Sequence, residues 1–190
     1  MEIAPEVYVD AAMDDALRQQ LLDAIAPARQ RVRRYFPSEA RHPVVVACSS
    51  RACFRSLGGR GGRGLSFEVR VLLAPSGISA EIVAHEWTHL AVGRALGRWR
   101  NVPSWFGEGL AVVVSEDERY SHQVFLRYQQ DNADAQERLR AIAQGVSLEE
   151  FFQHEWAYLL AAEQVRRLLP QEPSEVRALV KAQSHLCLAL

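Results

Sequence analysis

Hydrophobic and polar positions along this chain predict a first part that contains β-strands and a later part made of helices. Apolar residues recur at helical spacing over residues 11–35, which predicts a helix that Pro27 kinks or breaks. The β-branched run Pro43–Cys48 predicts a buried strand, and Ser50–Leu57 predicts a short helix closed by two glycines. The partly alternating segment Leu65–Leu73 predicts a second strand.

The remainder of the chain follows a helical period. One helix is predicted between Ile78 and Gly97, and the next is predicted to begin with Pro103 in its first turn or Ser104 as its N-cap. A capping-box signature predicts a helical element that starts at Leu148 and runs, with or without a break, to Leu169. Two prolines separate it from a last predicted helix, Ser174–Leu188. Strands followed by helices favour an α+β fold.

The composition indicates one globular domain and does not favour nucleic acid or an anionic membrane as partners. The chain has 190 residues, of which 48% are hydrophobic, so we expect a single domain over 1–190. Its 22 basic and 23 acidic residues give a net charge of −1, which argues against binding to nucleic acid or to an anionic membrane. No apolar run could span a membrane, and no amino-terminal signal is visible. We therefore expect a cytoplasmic protein, although an exported chain without its signal would look the same.

Three cysteines occur without a CxxC pair, at Cys48, Cys53 and Cys187. An odd number in this arrangement argues against a disulfide framework and against a zinc site built of four thiolates. We expect reduced and mostly buried thiols, with a single disulfide between Cys48 and Cys53 as the alternative.

The motif HExxH, His85 to His89, lies within the helix predicted after Ile78. Residues four apart share one helix face, so both imidazoles can reach one cation and form half of a zinc site. Glu86 lies about 100° further round the helix, where it is too offset to bind the metal comfortably but can hold a water molecule beside it.

A third ligand is expected in the segment Pro103–Ala111, PSWFGEGLA, which contains Glu108. The eighteen residues between His89 and Glu108 are enough to end one helix, turn and return antiparallel. Two histidines and one glutamate are a recognised ligand set for catalytic zinc. With this spacing and the segment WFGEGLA, the region from Ile82 to about Val113 resembles the gluzincin metallopeptidases, whose aminopeptidase N-like members carry a similar WxxEGxA segment.

The resemblance implies a fold, a cofactor and roles for individual residues. It implies that His85, His89 and Glu108 bind one Zn²⁺ per chain and that Glu86 is the general base. The implied fold is a minimal thermolysin-like catalytic domain, with a small sheet lobe, a helical carboxyl-terminal lobe and the zinc in a cleft between them. Gly109 is expected to let the two helices that carry the ligands approach each other closely.

Members of this family stabilise the oxyanion with a Tyr or His from the downstream helices. In this sequence Tyr158 lies where that donor is expected, and His154 is the second candidate one turn earlier on the same predicted helix. Tyr158 could instead be a packing residue of an amphipathic helix. Tyr120 and His122 are weaker candidates because they lie on a charged stretch that is expected to be exposed.

The family's aminopeptidases hold the substrate amine with an acidic residue in a GAMEN-like segment, and this sequence has no such segment. Its nearest counterpart is GLSFE, in which the acid is shifted to Glu68. We therefore expect an endopeptidase whose edge strand pairs with an extended peptide substrate. The expected substrate-binding residues of that strand are Gly64, Leu65, Ser66 and Phe67.

Two other interpretations remain open from the sequence. A catalytically weak or inactive relative could use a structural zinc and bind a protein in its groove, although retention of Glu86 argues against this. Alternatively, HExxH could be accidental in a helical bundle, although the eighteen-residue spacing to Glu108 argues against chance. The oligomeric state and the side-chain preference do not follow from the sequence.

Overall fold

A computed structural model describes residues 1–97, 102–145 and 155–186 of the chain. The described residues form a five-stranded sheet and eight α-helices, so the fold is mixed α+β, as the sequence predicts. The density of internal contacts divides the chain into two compact units, Met1–Ala91 and Val92–Leu190.

The first unit contains the whole sheet. Its strands, in chain order, are β1 (Glu2–Ala4), β2 (Val7–Val9), β3 (Val44–Ala47), β4 (Gly64–Phe67) and β5 (Arg70–Leu73). The order across the sheet is β1-β2-β3-β5-β4. Strand β3 lies parallel to β2 and to β5, whereas the two outer strands pair antiparallel with their neighbours. Strand β4 therefore forms one edge of the sheet, and the two amino-terminal strands had not been predicted.

One face of this sheet is packed into the hydrophobic core. Val45 pairs with Val71, and Ala47 pairs with Leu73, and all four side chains are fully buried. Directly opposed residues share a face of the sheet. The alternation therefore directs these residues to one side, while their neighbours in sequence point to the other.

Helix α1 (Asp15–Tyr35) is continuous through Pro27, so the predicted break is absent. Its amino terminus is capped by Asp14, whose side chain accepts a hydrogen bond from the Leu17 main-chain N–H. The buried residues recur every three or four positions beyond the proline as well as before it; they are Leu21, Ala24, Ala28 and Val32. Burial along one uninterrupted stripe stabilises the helix against the loss of one main-chain hydrogen bond.

A disulfide joins Cys48, after β3, to Cys53 in the short helix α2 (Arg51–Ser56). The expectation that these cysteines are reduced is therefore wrong, and the alternative pairing is correct. The first turn of α2 accounts for the proximity, because Ser50 caps the helix by accepting from the Cys53 main-chain N–H and reverses the chain after β3. Cys187 lies outside the described residues.

The segment Leu65–Leu73 forms a hairpin of two strands instead of the single strand that was predicted. Strands β4 and β5 pair antiparallel, with Phe67 opposite Arg70. Glu68 adopts φ 53°, a left-handed conformation that is uncommon outside glycine, and with Val69 it forms a two-residue turn. No Gly or Pro occupies this turn, so the usual sequence signal for a hairpin was missing.

Helix α3 (Ala80–Leu96) follows the hairpin after a 3₁₀ turn at Pro75–Gly77. Gly97, at φ 74°, follows its last turn, as the sequence predicts. The helices that follow it are α4 (Ser104–Ser115), α5 (His122–Asp131), α6 (Ala135–Gly145), α7 (Glu155–Leu168) and α8 (Val176–Leu186). Within the described ranges, none of the helices is long and apolar enough to cross a membrane.

The second unit is organised around the packing of α4 on α7. A Cβ atom at Gly109 would lie 2.4 Å from the carbonyl oxygen of Ala161, so the two backbones touch at this position. Gly109 therefore serves the contact with α7, which differs from the helix approach expected from the sequence. Pro103 takes the N-cap position of α4 without a side-chain cap, and Ser104 is the first helical residue. The predicted start of this helix at Pro103 or Ser104 is confirmed, whereas the predicted role of Ser104 as the N-cap is wrong.

Candidate metal centre

His85 and His89 lie one turn apart on α3 and face each other. Their Nε2 atoms are 3.2 Å apart, the ring centroids are 4.9 Å apart, and the rings are steeply inclined at 76°. Both side chains are half-buried. The HExxH spacing thus produces the predicted convergence of two imidazole nitrogens.

The other side of α3 is fixed by deep burial. Trp87 is fully buried and packs edge-on against His42, with 5.3 Å between the ring centroids. Thr88 is also buried, and its hydroxyl donates to the main-chain carbonyl of Ala84 at 2.7 Å. Trp87 and Thr88 lie between the two histidines in sequence, and their burial fixes the rotation of the helix about its axis. His85 and His89, four residues apart, therefore share one face.

Glu86 is nearly buried and lies against the edge strand of the sheet. Its exposed fraction is 9%. A Cβ atom at Gly64 would lie 2.7 Å from Cγ of Glu86 and 2.8 Å from its Oε1. The absence of a side chain at Gly64 therefore leaves the space that the carboxylate occupies.

The third predicted ligand, Glu108, lies in α4 and is half-buried. One potential ligand atom from each of His85, His89 and Glu108 can be chosen so that all three lie within 4.8 Å of one another. Two imidazole nitrogens and one carboxylate oxygen match a common donor set of catalytic zinc. The residues present therefore fit a single divalent cation of this kind.

A second group of potential ligands within the described residues combines Asp10 with Cys48 and Cys53. These cysteines form the disulfide, so neither sulfur is a thiolate that could bind a metal. Asp10 instead accepts hydrogen bonds from both the main-chain N–H and the hydroxyl of Ser49. This group therefore serves to join the β3–α2 connection to the amino-terminal segment.

Tyr158, the expected oxyanion donor, lies in α7 and is half-buried. Its ring stacks on Tyr120, with 5.7 Å between centroids and 26° between planes. His122, the other weak candidate, directs Nδ1 to a carboxylate oxygen of the buried Glu163 at 2.9 Å. His154 lies outside the described residues. The stack gives Tyr120 a partner and the hydrogen bond gives one to His122, and the oxyanion donor remains a prediction.

The predicted substrate-binding residues form the edge strand β4 and alternate between its two faces. Gly64 and Ser66 are half-buried, whereas Leu65 and Phe67 are exposed. Gly64 lies directly beside the Glu86 side chain. The sequence could not identify this contact, because Gly64 is one of several glycines in the stretch Leu57–Gly64 and nothing in the pattern distinguishes it.

Comparison with known proteins found no matching family model, no matching curated protein and no matching solved structure. The interpretation of the site therefore depends on its own residues.

Proposed function

We propose that this protein is a zinc-dependent endopeptidase of the gluzincin type. The observation that carries the proposal is the group of His85, His89 and Glu108, whose ligand atoms lie within 4.8 Å of one another. Glu86 adjoins this group in sequence and presents a nearly buried carboxylate. Two histidines, one glutamate and a neighbouring carboxylate are the minimal set for metal-assisted hydrolysis.

Each residue has a distinct task in the proposed reaction. His85, His89 and Glu108 would hold the zinc, which would supply Lewis acidity and help to lower the pKa of the attacking water towards about 7. Glu86 accepts a proton from the attacking water at its carboxylate and passes it to the leaving amine. The hydroxyl of Tyr158, or else the imidazole of His154, donates a hydrogen bond to the developing oxyanion.

The proposed fold is that of a minimal zincin domain, and the proposed substrate is an extended peptide held along β4. An edge strand can pair with an added strand through its main chain. The contact between Gly64 and Glu86 supports this assignment, because it sets the edge strand directly beside the proposed base. The cytoplasmic location expected from the sequence stays a prediction, and the disulfide between Cys48 and Cys53 argues against a reducing compartment.

The variant Glu86→Gln tests the reaction separately from metal binding. We expect full zinc content by elemental analysis and at least about a hundredfold loss of peptide cleavage, because amide nitrogen and oxygen cannot accept the proton. Glu137→Gln, which changes an exposed carboxylate of α6, is the matched control and should cleave normally. Cleavage by Glu86→Gln at the parental rate would overturn the assignment.

Zinc content of the parent distinguishes the proposal from its alternatives. Stoichiometric zinc without cleavage of a mixed peptide library would favour a protein-binding module with a structural metal. A parent that takes up no zinc on reconstitution, while remaining folded, would show that the HExxH motif is accidental.

A further inference from the structure

An exposed apolar strip follows the outer face of the β4–β5 hairpin. Phe67 is 60% exposed, Val69 51% and Leu65 39%, which makes them three of the most exposed large hydrophobic side chains among the described residues. Leu65 and Phe67 lie opposite Leu72 and Arg70, on the face that points away from Val71 and Leu73 in the core. Adjacent exposed apolar side chains of this kind indicate a contact surface.

The main chain of the same strand presents hydrogen-bonding groups outwards. The Ala74 N–H donates to the carbonyl of Arg63 at 2.9 Å, so these two residues form a hydrogen-bonded pair of the antiparallel ladder. Hydrogen-bonded pairs alternate with pairs whose main-chain groups point away from the partner strand. The N–H and C=O groups of Gly64 and Ser66 are therefore directed away from β5, towards the open edge.

The hairpin and the helix before it are strongly basic within a chain of net charge −1. Residues 49–80 contain a single carboxylate, Glu68, and five exposed arginines: Arg51, Arg55, Arg60, Arg63 and Arg70. The hydrogen bonds that position three of them go to main-chain carbonyls, from Arg51 to Gly62, from Arg55 to Arg51 and from Arg63 to Ser76. Bonds to neutral acceptors leave the positive charge in place, so this surface favours anionic partners.

We infer that the peptide bound along β4 is acidic and carries apolar side chains at every second position. This inference rests on the proposed function and adds the chemical class of its substrate. A strand added to β4 places alternate side chains beside Leu65 and Phe67, where apolar groups pack, while flanking acidic groups meet the arginines. Side chains on the other face point towards the side of the sheet where Glu86 lies.

Three labelled peptides of equal length test this inference by fluorescence anisotropy against zinc-loaded Glu86→Gln. The first has Val and Phe at alternate positions with Glu at both ends, the second replaces Glu by Lys, and the third replaces the apolar residues by Ser. We expect the first to bind at least about tenfold more tightly than either of the others, with the advantage over the Lys peptide shrinking as salt increases. Equal affinity for all three peptides would overturn the inference.

Variants of the protein separate side-chain selection from main-chain pairing. Phe67→Ser should weaken binding of the first peptide and leave binding of the third unaffected. Arg60→Ser should lower the affinity for the Glu-containing peptides by roughly two- to fivefold and leave the affinity for the Lys peptide unchanged. Ser66→Pro removes an N–H that points away from β5, so the fold should persist while binding of all three peptides falls. Ser66→Ala keeps that N–H, so we expect it to bind all three peptides more tightly than Ser66→Pro does.

The outcomes for the inference and for the proposed function are distinguishable. If Glu86→Gln prefers the acidic peptide but the parent cleaves nothing, the selectivity stands and the hydrolytic function fails. If the parent cleaves the three peptides at equal rates, the hydrolytic function stands and the inferred substrate class is wrong.

Discussion

The side chain of Glu86 occupies the space in which a side chain on residue 64 would lie, so the two residues can be this close only because residue 64 is glycine. A Cβ atom on residue 64 would lie 2.7 Å from Cγ of Glu86, 2.8 Å from Oε1 and 3.0 Å from Cδ. Contacts this short force a shift, and the carboxylate side chain of Glu86 can move more readily than the strand. The conformation of the proposed base thus depends on a glycine in the proposed substrate strand.

The variant Gly64→Ala should therefore displace the Glu86 carboxylate and lower activity with little effect on folding. We expect peptide cleavage to fall by at least about tenfold, since a misplaced catalytic group is costly, while zinc content stays equal to that of the parent. Cleavage rates, elemental analysis and urea unfolding measure the three quantities. Gly61→Ala is the control, because a Cβ atom there has no neighbour within 4 Å. Equal losses in both variants would contradict the explanation.

Gly109 is predicted to be essential for the packing of α4 on α7. An alanine methyl would lie 2.4 Å from the carbonyl oxygen of Ala161 and 2.9 Å from a methyl carbon of Val165. The nearest atom belongs to the main chain of α7, which cannot move aside as readily as a side chain can. Gly109→Ala should therefore lower the free energy of unfolding by about 1–3 kcal/mol or more. Urea unfolding with a circular-dichroism readout measures this change.

Gly93 supplies the matched comparison within a helix. It is an exposed residue of α3, and a Cβ atom there has no neighbour within 4 Å. Alanine is the better helix former, so Gly93→Ala should stabilise the protein by about 0.5–1 kcal/mol. If both glycine variants changed stability in the same direction, close packing at Gly109 would not be the reason for its glycine.

The sequence predicted the local features of the proposed site because they depend on helical periodicity. The facing of His85 and His89 follows from their spacing of four residues, and the helix that carries Glu108 was indicated by the start signals at Pro103 and Ser104. The strand Val44–Ala47 and the helix Arg51–Ser56 were likewise visible as a β-branched run and a capped segment.

Features that depend on contacts between distant segments were missed. Strand β1 has only three residues, too few to show alternation, and it exists because it pairs with β2. The hairpin turn at Glu68 lacks glycine, and the continuity of α1 through Pro27 depends on burial along its whole length. Each of these outcomes is decided by tertiary packing, which overrides local preference.

The disulfide between Cys48 and Cys53 can be tested by counting thiols. The chain has three cysteines, so denatured protein that was never reduced should show one reactive thiol, and reduced protein should show three. The loop closed by the bond is short, so its reduction should lower the free energy of unfolding by about 2 kcal/mol. The variant Cys53→Ser should show the same loss without reductant. Three reactive thiols in protein purified without reductant would exclude the bond.

Asp10 should make stability depend on pH in the acid range. Burial alone would raise the pKa of its carboxyl, but hydrogen bonds from Ser49 and from the Ala12 main-chain N–H outweigh burial and hold the pKa below its ordinary value of 3.8. A carboxyl whose pKa is lower in the folded state contributes stability above its unfolded pKa. That contribution is therefore present above about pH 4 and is lost as the pH falls through the folded pKa.

The variant Asp10→Asn has no carboxyl that titrates at position 10, so its stability should fall less steeply than that of the parent as the pH is lowered in the acid range. Thermal unfolding at pH 5, 4 and 3 measures the slope, and we expect the difference in Tm between parent and variant to shrink as the pH falls. Asp23→Asn is the control, because that exposed carboxylate accepts its hydrogen bond from the neighbouring Gln19 side chain and not from the main chain. A pH-independent difference between parent and Asp10→Asn would mean that the Ser49 hydrogen bonds do not depend on the charge of Asp10.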